Sequence, residues 1–124
     1  MADILVIDDM NGIRQLVAAM LGRAGHTIVE ASDGQAAIKL LQERRFDLVL
    51  TDIVMPESDG ADVLMFLRGR PDRPPVVAMS GGDPSLEPEP ALLLARALAD
   101  ATLTKPFGPK DLVAAIDRLL KKSA

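Results

Sequence analysis

The chain has no cysteine, no tryptophan and no tyrosine among its 124 residues. Without cysteine there are no disulfides and no thiolate-ligated zinc, which is compatible with the cytoplasm. The single histidine, His26, rules out multi-histidine metal centres. Three phenylalanines are too few for a platform on which single-stranded nucleic acid stacks. The formal net charge is −4 with no block of Lys and Arg, so phosphate-neutralising binding to nucleic acid is not expected. No apolar run approaches the roughly 20 residues that span a bilayer. No basic segment precedes a signal-type apolar run at the N-terminus. The expectation is a cytoplasmic protein that binds neither membrane nor nucleic acid.

Hydrophobic residues make up 48% of the chain, enough for a packed core. The length fits one domain, and residues 1–124 are expected to form it with no second domain. Apolar runs near 4–7, 27–29, 48–51, 76–79 and 101–104 predict five strands. The runs at 4–7 and 48–51 are continuous, as in parallel strands covered by helices on both faces. Helical periodicity lies between the strands. Ile13, Leu16, Val17, Met20 and Leu21 mark a first helix, with Gly25 placed for a left-handed cap. A second helix starts at an Asp33 cap and buries Ala37, Leu40 and Leu41. A third follows an Asp59 cap with Val63, Leu64 and Leu67. A fourth, over 91–99, is apolar nearly all round and follows a loop rich in proline and glycine. A fifth opens at Pro109 and repeats Leu112, Val113, Ile116, Leu119 and Leu120. Alternating strands and helices imply right-handed crossovers and a parallel sheet.

Polar residues sit at the ends of four of the strands. Asp8 and Asp9 follow the first, Asp52 ends the third, Ser80 the fourth and Lys105 the fifth. Ligands of such sheets bind outside the carboxyl ends of the strands, where the strand order reverses. Strands one, three, four and five are therefore expected to be contiguous, with strand two at an edge, in the order 2-1-3-4-5. Three carboxylates at one edge repel each other, and a bound Mg²⁺ relieves that repulsion with one or two direct carboxylates and several waters. Lys105 adds a compact positive charge. The set suits the binding and in-line transfer of a phosphoryl group, with a carboxylate as a competent nucleophile.

Asp8-Asp9, Asp52 with Met55-Pro56 and Gly60, Ser80, and Lys105-Pro106-Phe107, in that order, closely resemble the receiver domain of two-component response regulators, the CheY-like fold. The resemblance covers the whole chain. It implies an α/β flavodoxin-like three-layer sandwich, with five helices around the sheet. Asp52 would be the phosphoacceptor. Asp8, Asp9, Asp52 and the backbone carbonyl of Val54 would hold Mg²⁺, with Asp8 acting mostly through water. Ser80 would be the switch hydroxyl, and Lys105 would contact the phosphoryl group. The domain would assist its own phosphotransfer and dephosphorylation without turning over an external metabolite. The phosphodonor would be a histidine kinase or a histidine phosphotransfer protein, and the product a change in protein–protein contacts. A monomer or a phosphorylation-dependent dimer is implied.

Three positions depart from the family pattern. Thr102 stands three before Lys105, where relatives carry a switch aromatic. Leu98 stands where a glycine ends the fourth helix, and the stretch from Ser80 to Lys105 is longer than usual. These departures motivate an alternative, a receiver-fold scaffold that binds partners without phosphorylation. Leu94 and Leu98 are read as a partner surface on the fourth helix. His26 is read as an ordinary surface residue, Gly81-Gly82 as a turn, and Met20 and Met79 as core filler.

Overall fold

The computed structural model describes residues 2–53, 60–80, 97–104 and 107–123. Five strands form one sheet: β1 (Asp3–Ile7), β2 (Thr27–Ala31), β3 (Leu48–Asp52), β4 (Val76–Ser80) and β5 (Ala101–Thr104). Four helices connect or flank them: α1 (Asn11–Arg23), α2 (Gly34–Glu43), α3 (Gly60–Arg68) and α4 (Pro109–Ser123). The strand order is β2-β1-β3-β4-β5, all parallel, as the sequence predicts. The predicted helix over 91–99 lies mainly outside the described residues. Its end, Ala97 and Leu98, is helical. The predicted cap Asp59 also lies outside them.

The alternation of side chains along each strand divides the core into two layers. Leu5, Ile7, Val49, Val76 and Ala78 face α2 and α3, packing with Ala37, Leu41, Val63, Leu64 and Leu67. Ile4, Val6, Leu48, Leu50, Val77 and Met79 face α1 and α4, packing with Val17, Leu21, Leu112, Ile116 and Leu119. Because β1, β3 and β4 are covered on both faces, both sets of alternate residues must be apolar, hence the unbroken runs. The outer strands β2 and β5 are only half-buried. Of the expected apolar stripe of α1, Leu16 is 56% exposed. The helix meets the sheet through Val17 and Leu21, and one residue back along the helix turns Leu16 by about 100° out of that contact. Among the described residues, no helix is long and apolar enough to cross a membrane.

Local chemistry sets the connections. The Asp33 carboxylate accepts from the backbone N–H of Ala36 at 2.8 Å and caps α2. At the end of α1, the N–H of Gly25 donates to the Gly22 carbonyl at 3.0 Å and that of His26 to the Leu21 carbonyl at 3.2 Å. This double bond pattern needs a left-handed residue between helix and strand, and Gly25 has φ 96°. His26 is more than a surface residue: its Nδ1 accepts from the N–H of Ala2 at 3.2 Å, tying the start of the chain beside β2. At the other end of the sheet Arg73 forks onto Asp100 at 3.0 and 3.4 Å, while Asp100 also accepts from the Val76 N–H at 2.7 Å. That knot aligns the starts of β4 and β5.

Gly25→Ala should lower unfolding free energy by about 1 kcal/mol in urea titrations, through the disfavoured positive φ. Gly22→Ala, inside α1 and with open space around an added methyl, should raise it by about 0.5–1 kcal/mol. Equal effects of the two changes would contradict the cap geometry.

Candidate acidic site at the carboxyl edge of the sheet

The site begins with the pairing of β1 and β3. Ile7 lies opposite Thr51, so the next residue on each strand, Asp8 and Asp52, emerges side by side at the carboxyl edge. Neither strand end is loose. The Asp8 N–H donates to the Ala31 carbonyl of β2 at 3.2 Å, and the Ile53 N–H to the Met79 carbonyl of β4 at 3.1 Å. Each carboxylate-bearing strand end is thus tied to its outer neighbour, Asp8 to β2 and the residue after Asp52 to β4.

Asp8 also shapes the turn that follows it. Its Oδ1 accepts from the N–H of Met10 at 3.0 Å, the short-range turn that Asp favours, and the chain enters α1 one residue later. This folds Asp9 back towards the strand ends. One oxygen each of Asp8, Asp9 and Asp52 lies within 4.8 Å of the others. Asp8 is fully buried, Asp52 nearly so, and Asp9 half-buried. Carboxylates that converge in this way repel one another, and counter-charge or a bound cation relieves that repulsion. The donor set is all oxygen, which suits a hard divalent ion that keeps some of its water.

The other expected site residues fall on the same edge where they are described. Ser80 is the last residue of β4, half-buried, opposite Thr104 at the end of β5. Val54 and Lys105 lie outside the described residues, as do Met55, Pro56, Pro106 and Leu94. Leu98 is partly buried and packs on the core layer shared with α2 and α3, so part of it serves the fold. Thr102 is exposed on β5, the outermost strand.

One contributor escapes sequence reasoning. Arg14, in α1, donates from Nη1 to the Asp8 carbonyl at 2.8 Å, from Nη2 to Asn11 Oδ1 at 2.7 Å and from Nε to Glu30 Oε1 at 3.1 Å. Helical spacing places Arg14 on the polar side of α1, where a solvated arginine is the ordinary reading. The only sequence signal is a basic residue in the first turn after an acidic pair.

Comparison with known proteins decides the family. The profile described as "Response regulator receiver domain" matches residues 4–117. The chain belongs to this family. The receiver domain is 32% identical over 120 residues to the alkaline phosphatase synthesis transcriptional regulatory protein PhoP of Bacillus subtilis, covering 97% of this chain and 49% of that protein. It is 36% identical over 120 residues to the probable transcriptional regulator ycf27 of Cyanophora paradoxa, covering 97% and 48%. The chain thus spans about half the length of these curated relatives. Among solved structures, the receiver domain of Francisella response regulator 1452 is similar over 100% of both chains, with TM-score 0.86 and 28% identity. NtrX of Brucella abortus matches over 98% of this chain and 27% of its own, with TM-score 0.85 and 35% identity. Receiver domains are signalling modules rather than enzymes acting on external metabolites, and this one is the receiver domain of a two-component response regulator.

Asp8→Asn keeps the Oδ1 that accepts from Met10 and removes one of the three clustered charges. Metal-free stability of this variant should rise by on the order of 1 kcal/mol. Its stabilisation by Mg²⁺ should fall well below the roughly 2.7 kcal/mol that a metal-binding native site would gain at a hundredfold excess over Kd. Urea unfolding with and without Mg²⁺ measures both. An undiminished Mg²⁺ gain in the variant would exclude Asp8 from the site.

Proposed function

We propose that this receiver domain takes a phosphoryl group from a histidine kinase or histidine phosphotransfer protein onto Asp52, with Mg²⁺ held by Asp8, Asp9, Asp52 and the backbone carbonyl of Val54. The observation that carries this reading is the convergence of the three carboxylates within 4.8 Å at the carboxyl edge, in a chain of this family. The cluster fits the cation: its oxygens are hard donors, and Mg²⁺ needs only one or two direct carboxylates. When bound, Mg²⁺ supplies positive charge to the phosphoryl oxygens and to the carboxylates around them.

The residues of the chain then have separate tasks. Asp52 ends a fully buried strand whose ladder with β4 runs on through the Ile53 N–H, so its backbone is held in place for in-line attack. An Asp52 oxygen forms the new bond to phosphorus as the bond from phosphorus to the donor histidine nitrogen breaks, leaving neutral imidazole after proton uptake. Lys105, one residue beyond β5, is assigned to a phosphoryl oxygen as a compact charge. Ser80, at the end of β4, is assigned to donate its hydroxyl to a phosphoryl oxygen. Water attack on phosphorus later returns the Asp52 carboxylate and inorganic phosphate. Because Ser80 and Thr104 are opposite each other, a pull on Ser80 is transmitted to β5 through the ladder. Thr102 lacks the ring that fills this place in relatives, so the output passes through strand displacement rather than an aromatic swing. The intact acidic triad argues against a scaffold that works without phosphorylation. We assign the domain to the cytoplasm, as a monomer or a phosphorylation-dependent dimer. An effector partner is read either through Leu94 and Leu98 or in a segment of the kind that fills the other half of the relatives.

Incubation with a small phosphodonor such as acetyl phosphate and Mg²⁺ should add one phosphoryl group to the native chain, seen by intact mass. Asp52→Asn should abolish the addition with an unchanged fold by circular dichroism. Labelling of that variant at the native rate would refute Asp52 as acceptor.

A further inference from the structure

We infer that Arg14 is a positioning residue for the acidic site: its guanidinium fork sets the turn between β1 and α1 so that Asp8 and Asp9 present their oxygens towards Asp52. The inference rests on the proposed cation-binding function and concerns how the ligand geometry is maintained. The turn consists of only Asp8, Asp9 and Met10 between Ile7 and Asn11. Met10 is 55% exposed and Asp9 half-buried, so little apolar packing fixes the turn from outside. The fork reaches three separate pieces of backbone and side chain at once: the Asp8 carbonyl in the turn, Asn11 at the start of α1, and Glu30 on the edge strand β2.

An ordinary surface ion pair contributes little because both partners are solvated and free to move. Arg14 differs on both counts. Its side chain is 13% exposed, and all three of its nitrogens donate at 2.7 to 3.1 Å. A planar guanidinium keeps those directions rigid, which a lysine ammonium does not.

The charge of Arg14 acts in the opposite sense, since a cation near the site repels a second cation. The Arg14 charge is met by the Glu30 carboxylate at 3.1 Å, so the pair seen from the site is close to neutral and the repulsion is small. Groups that orient metal ligands from behind typically change affinity tenfold to a hundredfold. Positioning should therefore outweigh repulsion.

The two effects separate in Mg²⁺ titrations of the whole chain followed by amide NMR and calorimetry. Arg14→Lys keeps the charge and loses the fork, whereas Arg14→Gln loses both. Both should weaken Mg²⁺ binding by about tenfold, with unfolding midpoints close to the native one. Asn11→Ala, a neutral change at an exposed residue, should weaken binding less but in the same direction. Native affinity in Arg14→Lys, or tighter binding in Arg14→Gln, would overturn the inference. If the Arg14 variants do not fold, Asn11→Ala decides: weaker binding supports positioning and native affinity overturns it. Mg²⁺ binding by the native chain with unaltered variants defeats this inference alone. No binding by the native chain defeats the functional reading and this inference with it.

Discussion

The pairing of Ile7 with Thr51 is the constraint on which the acidic site depends. Side chains along a strand alternate between faces, so a slip of one residue between β1 and β3 would exchange every core residue of one layer with the other. Both layers are apolar here, and the penalty is one of shape rather than polarity. The β1–β3 pairing sets Asp8 beside Asp52, while the Asp8 bond to Ala31 of β2 and the Ile53 bond to Met79 of β4 tie each strand end to its outer neighbour. The carboxylates converge because the sheet holds their backbones, and the sheet holds because helices cover both of its faces.

Such a convergence opposes stability. Asp8 is fully buried and shares space with two other carboxylates. Its hydrogen bond from Met10 compensates part of that opposition. Under the proposed function a cation and then a phosphoryl group would relieve that repulsion further. In that proposal the binding energy would be available to move β4 and β5. Ser80 at the end of one strand and Thr104 beside it on the next are the short route for that movement.

Much of this was legible from residue order alone. Continuous apolar runs mark β1 and β3 because both of their faces are covered. Strand-end polar residues then placed Asp8, Asp9, Asp52 and Ser80 on one edge, and the strand order followed. Gly25 and Asp33 were readable as caps because their chemistry is local. Leu16 was not, because a periodic pattern says which residues share a stripe but not which side of the stripe meets the sheet. Arg14 was hidden for a related reason: its partners, the Asp8 carbonyl and Glu30, come together only once β1 and β2 pair. His26 likewise gained its role from contact with Ala2 across the start of the sheet, a neighbour invisible to local spacing.

The proposed function makes the acidic edge a phosphoryl site coupled to the outer strands. Amide NMR spectra in Mg²⁺, recorded before and after adding beryllofluoride as a stable phosphoryl mimic, test it most directly. The account predicts shifts centred on Asp8, Asp9, Asp52 and Ser80 that extend into β5 through Thr104 to Thr102. Spectra unchanged at the three aspartates by both Mg²⁺ and the mimic would contradict it.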